Sequence, residues 1–170
     1  LDTQSPIIDA ILIYHSDKKK EIIKTNQIKR DIYEIDKNIN ISNSFDIAIK
    51  TYDLLDAAPN KNGIYNIKLF INDSLYFHNE METFSFKETR FINSHIDYAY
   101  FTENGHRFQK LFRDKNNKLS TNKKYTALSI GNNLNAGEHN LKIIVSDSYN
   151  NTSKLSLKFI LDKTKKITKE

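Results

Sequence analysis

Apolar and polar residues alternate with a period of two in four separate stretches of this chain, a pattern that fits half-buried strands and does not fit helices. In residues 44–53, Phe45, Ile47, Ile49 and Thr51 fall on one face, and Asp46, Ala48, Lys50 and Tyr52 fall on the other. Residues 64–71 repeat the pattern with Tyr65, Ile67, Leu69 and Ile71, residues 138–146 with Leu141, Ile143 and Val145, and residues 154–160 with Leu155, Leu157 and Phe159. Turn-forming residues separate the stretches. Pro59, Asn60, Asn62 and Gly63 lie in one connection, Asn72-Asp73-Ser74 in the next, and Asp147, Asn150 and Asn151 in a polar hairpin loop before residue 154. An apolar run over 7–14, directly after Pro6, reads as the first strand, with residues 20–24 and 31–35 as edge segments. This spacing predicts an antiparallel immunoglobulin-like β-sandwich.

The expected domain covers residues 1–161, with a charged flexible tail over 162–170. A short, partly helical insertion is expected at about 80–112. There Phe84 and Phe86 alternate as core residues would, and 94–101 and 107–112 read as helical turns. With 170 residues the chain is long enough for one real core, and with no cysteine that core must rest on packing rather than on disulfides. The net charge of +5 comes mostly from scattered lysines, and no nucleic-acid-binding motif accompanies it, so no nucleic-acid partner is expected. No apolar run reaches the length of a membrane span. The opening Leu1-Asp2-Thr3-Gln4 is neither a signal peptide nor an initiating Met, as expected of a processed product or an excised domain.

Two stretches carry a resemblance. Tyr52-Asp53-Leu54-Leu55-Asp56-Ala57-Ala58-Pro59-Asn60-Lys61-Asn62-Gly63-Ile64-Tyr65 and Phe84-Ser85-Phe86-Lys87-Glu88-Thr89-Arg90-Phe91-Ile92-Asn93-Ser94-His95-Ile96-Asp97-Tyr98 resemble the immunoglobulin-like region that follows the zinc peptidase domain in LytM-type murein endopeptidases of Bacteroidetes. The opening residues 2–8 and the hairpin over 145–153 are similar to the start and end of that region. The resemblance implies an exported enzyme of the bacterial cell envelope, periplasmic or outer-membrane associated, that cuts peptide cross-links in peptidoglycan. It implies a zinc peptidase domain N-terminal to this chain. The family holds zinc through a His with an Asp four residues on and through the last His of a His-x-His. Neither pattern occurs around His15, His78, His95, His106 or His139. The expectation is therefore a non-catalytic accessory domain with no cofactor and no catalytic residue, positioning the enzyme or its substrate. The alternative is an independent glycan-binding or adhesion module, since sandwiches serve many functions.

Three groups of residues are candidate sites. His95 and Asp97 would point the same way on a strand, as an acid/base pair requires, although a structural hydrogen-bonded pair is the commoner arrangement. Asp53, Asp56 and Asp147 belong to loops that collect at one end of a sandwich, where oxygen ligands suit calcium and where turn capping competes as an explanation. Arg90, Asn93, His95, Asp97 and Tyr98 form a candidate contact surface, with peptidoglycan, another envelope glycan or the peptidase domain as its partner. The aromatics Phe84, Phe86, Phe91, Tyr98, Tyr100 and Phe101 are candidates for stacking on sugars or docking a neighbouring domain, although most aromatics of a domain this size are core, where Phe84 and Phe86 are expected.

Overall fold

The computed structural model describes residues 2–56, 60–81 and 94–165. They form two β-sheets packed around one core, with a single short helix.

The first sheet runs β10-β6-β1-β2, built from β1 (Ile7–His15), β2 (Lys20–Lys24), β6 (Phe45–Leu54) and β10 (Gln109–Lys110), with β7 (Lys61–Asn62) added to the end of β6. The second runs β11-β9-β8-β12-β13-β4-β3. Its members are β3 (Asn26–Lys29), β4 (Ile32–Glu34), β8 (Asn66–Ile71), β9 (Ser74–Glu80), β11 (Asn122–Lys124), β12 (Gly137–Ser146) and β13 (Thr152–Asp162), and β5 (Ile39–Ser42) pairs with β13. Pairing is antiparallel throughout except that β4 and β5 run parallel to β13. An early strand lying parallel to the last one, beside consecutive antiparallel hairpins, is compatible with an immunoglobulin-like arrangement.

The alternation read from the sequence sets the faces. Phe45, Ile47 and Ile49 of β6 meet Ile67, Leu69, Leu141, Ile143, Val145, Leu155, Leu157 and Phe159 of the opposite sheet in one buried cluster. Along β13 the pattern is complete, with Ser153, Leu155, Leu157, Phe159 and Leu161 buried and Lys154, Ser156, Lys158 and Ile160 exposed. The outer face of that sheet is therefore wet. The β8–β9 hairpin turns on Asn72 and Asp73, both at positive φ (47° and 65°), the backbone that a tight two-residue turn demands and that Asn and Asp tolerate.

β1 departs from simple alternation, because Ala10, Ile11, Leu12 and Ile13 are all buried. Two causes combine. A bulge between Ile8 and Ala10 shifts the pairing with β6, so that Ile8 and Ile11 both face the core despite their odd spacing. The outer face is covered as well, since Ala10, Leu12 and Ala48 pack under Phe108 in a second cluster.

That cover comes from residues 94–112, which differ in detail from the expected pair of helical turns. The helix α1 spans Tyr98–Asn104, between an Asp97 N-cap and Gly105 at φ 71°. Residues 107–112 are not helical. Gln109 and Lys110 pair with Ile49 and Ala48, and Leu111 N–H donates to Ile47 O, so the open edge of β6 is satisfied by a strand instead. Phe84, Phe86 and Phe91 lie outside the described residues, as does the end of the expected tail after Lys165. No helix among the described residues is long and apolar enough to cross a membrane.

Candidate functional site

Asp53 sits near the end of β6, Asp147 directly follows β12, and Asp2 lies in the segment leading to β1, so three distant parts of the chain converge at one end of the sandwich. One carboxylate oxygen from each comes within 4.8 Å of the others, and the three residues are only 8%, 4% and 2% exposed for Asp2, Asp53 and Asp147.

Local hydrogen bonds hold each group in place. Asp147 Oδ1 accepts from Tyr149 N (2.8 Å) and Asn151 N (2.8 Å), and its Oδ2 accepts from Asn151 Nδ2 (2.7 Å), which orders the β12–β13 turn. Asp2 Oδ1 accepts from Gln4 N (3.2 Å) and Asp56 N (3.2 Å). The carbonyl of Asp2 accepts from Asn151 Nδ2 (3.1 Å), and Ser153 Oγ donates to Pro6 O (2.6 Å). The opening segment is thus tied to the hairpin more than a hundred residues away. Asp53 has its carboxyl raised above the ordinary range by burial, then by the nearby Asp147 and Asp2, with the Leu54 N–H opposing.

Sequence reasoning placed Asp53 and Asp147 here, together with Asp56, which the structure puts elsewhere. The Asp56 carboxylate is turned to Thr3, accepting from Thr3 N (3.1 Å) and Thr3 Oγ1 (3.0 Å), and only its backbone N–H touches Asp2. Asp2 takes the third place. It was missed because it belongs to no alternating stretch, although an Asp with a free N–H two residues on is a local turn signal.

The second candidate region comes apart. His95 and Asp97 do not act as a pair, because a 3₁₀ turn and the start of α1 replace the expected strand. His95 bonds to Gln109. Asp97 is buried rather than outward-facing: its Oδ2 accepts from Tyr14 Oη (2.8 Å) and Lys20 Nζ (3.0 Å), and its Oδ1 accepts from Tyr100 N (3.0 Å). Burial raises that carboxyl, but the bonds from Tyr100 N–H, Tyr14 and Lys20 together prevail and hold it below the usual value. Asp97 therefore docks the helix on the sheet and leaves the proposed contact surface. Tyr98 remains exposed at 52%, and Arg90 and Asn93 lie outside the described residues.

His95 also borders a cleft of about 550 Å³ beside β6, whose walls include Tyr52, Lys61, Phe101 and Arg107. Lys61 lies over the Tyr52 ring (4.1 Å) and Arg107 over the Phe101 ring (5.4 Å), so cations and aromatic faces alternate along it.

Burial away from water lowers the His95 pKa from 6.5 to about 4, against a hydrogen bond that the ring donates to Gln109, which acts the other way. The unfolded chain takes up that proton near pH 6.5 and the folded chain only near pH 4, so stability falls as pH drops through this window and is unaffected above it. The half-buried ring limits the effect to about 1–2 kcal/mol. Urea denaturation at pH 7 and pH 4.5 should show that part of the loss in the wild type and not in His95→Gln. Equal losses in both would remove His95 as its source.

No protein-family model matches this chain, and no curated protein matches it. The fold and the acidic end define it as a two-sheet, mainly antiparallel β-sandwich domain with three carboxylates gathered at one end.

Proposed function

We propose that the chain is a non-catalytic accessory domain of a bacterial cell-envelope peptidoglycan metalloendopeptidase, positioning the enzyme or its substrate. The observation that carries this reading is the cleft beside β6 and α1, in which Lys61 and Arg107 stand next to Tyr52 and Phe101. Aromatic faces stack on sugar rings and cations meet the carboxylates of stem peptides, so the lining suits the cell-wall polymer. The resemblance of residues 52–65 and 84–98 to the region after LytM-type peptidase domains points the same way, and those stretches border the cleft at Tyr52, Lys61 and His95.

The histidines support a supporting rather than a catalytic part. His15 pairs with Glu21 (2.9 Å), His78 lies 3.6 Å from Glu80, His106 meets Lys50, and His139 bonds with Asn72 and Asn135. Each serves its own stretch of framework, whereas hydrolysis needs base, metal or nucleophile in one place.

Sedimentation with purified peptidoglycan sacculi tests the proposal. The chain should pellet with the sacculi, release no muropeptides, and lose most of its retention when Phe101 and Arg107 are both changed to alanine. Muropeptide release by the chain overturns the non-catalytic assignment. Retention on unrelated polysaccharides but not on sacculi favours an independent glycan-binding module instead.

A further inference from the structure

Three carboxylates drawn into one buried site need a positive partner, and no lysine, arginine or histidine among the described residues is paired with Asp2, Asp53 or Asp147. Uncompensated buried charge is costly, and proteins resolve it by pairing, protonation or a metal ion. Asp2 Oδ2 and Asp53 Oδ1 are buried without any hydrogen-bond partner, although the other oxygen of Asp2 and both oxygens of Asp147 are satisfied by local donors. Both residues are more than nine-tenths buried, so water does not reach these atoms freely.

We propose that Asp2, Asp53 and Asp147 form a binding site for one divalent cation, calcium by preference, which clasps the opening segment of the chain to the ends of β6 and β12. The donor set is all oxygen, which suits a hard cation and excludes the sulfur and nitrogen coordination typical of structural zinc. Oxygens within 4.8 Å of one another fit around an ion at roughly 2.4 Å from each, the distance calcium prefers; magnesium demands a tighter octahedron of roughly 2.1 Å. Backbone carbonyls and water complete calcium's shell of about 6–8 oxygens.

The consequence is mechanical. Asp53 belongs to one sheet, Asp147 ends a strand of the other, and Asp2 precedes both, so a bound ion joins two sheets and the chain's opening segment at a single point. Because Asp56 N, Gln4 N and Asn151 Nδ2 already hold Asp2, the ion finds its third ligand in position and tightens contacts that exist without it. This inference is independent of the function proposed above.

Calorimetric titration of the chelator-stripped chain with calcium chloride tests it, together with thermal melting in calcium and in chelator. One saturable site is expected, with melting raised by about 5–10 °C at a hundredfold excess over Kd. Asp53→Asn keeps the shape of the side chain and should weaken calcium binding at least tenfold, while melting no lower than the wild type in chelator because a buried repulsion is relieved. Magnesium should bind more weakly. If Asp53→Asn fails to fold, Asp2→Asn replaces it, and the wild-type titration decides by itself. Absence of saturable binding up to about 10 mM calcium, beyond the range of extracellular calcium modules, overturns the proposal. So does wild-type calcium affinity in the Asn variants.

Discussion

Replacing Asp97 by alanine will destabilise the domain by about 3 kcal/mol, lowering its melting temperature by about 6–12 °C. Asp97 is 6% exposed, and its carboxylate receives three hydrogen bonds, from Tyr14, Lys20 and the N–H of Tyr100. Truncation removes the N-cap of α1, worth about 1 kcal/mol, and leaves the Tyr14 hydroxyl without its acceptor in a half-buried place. The Lys20 ammonium is 41% exposed and recovers part of its loss from water, which keeps the total below that of a fully buried pair. Asp97→Asn retains an oxygen for the cap and for Tyr14 and should restore about half of the stability. Equilibrium urea denaturation of both variants measures this. A loss under 1 kcal/mol for the alanine variant would mean that α1 is held by Tyr100 and Phe108, whose rings meet edge-on at 5.5 Å, and not by the carboxylate.

Asp97 also illustrates where reading the sequence stops. Strands β6, β8, β12 and β13 were legible because one of their faces is buried, so their period of two appears directly in the residue types. The hairpin turn at Asn72-Asp73 was legible for a backbone reason of the same local kind. β10 was not, because two residues carry no period and Gln109-Lys110 becomes a strand only by meeting the free edge of β6. The burial of Asp97 depends on Tyr14 and Lys20, which are 83 and 77 residues away, and nothing local to residues 94–98 announces either partner. The acidic end was legible by half. Asp53 and Asp147 flank strands whose ends were predictable, whereas Asp2 arrives through the docking of a segment without periodicity, and the turn of Asp56 toward Thr3 is a tertiary contact.

Phe159→Ala should have the larger effect on stability, about 3–5 kcal/mol, because it empties the space of a ring that is 1% exposed in the middle of the main cluster. Phe159 meets Phe45 of the opposite sheet edge-to-face at 5.0 Å, so the truncation removes a contact between sheets as well as buried area. Its other neighbour is the His139 ring at 5.4 Å, opposite it across β12 and β13, and that imidazole stays fixed by Asn72 and the Asn135 carbonyl. The surroundings therefore have little freedom to collapse into the cavity. The adjacent Ile160 is the internal control: it points outward, 42% exposed, and its replacement by alanine should change stability by less than about 0.5 kcal/mol. Phe159 also lies seven residues along β13 from Thr152, about 23 Å at the usual strand rise, on the far side from the acidic end. Calcium affinity measured on the folded Phe159→Ala variant should then match the wild type although its melting temperature falls, as sites this far apart act nearly independently. A tenfold loss of calcium affinity in that variant would instead mean that the acidic end is held open or closed by the core beneath it, and that the cation reports on the packing of the whole sandwich.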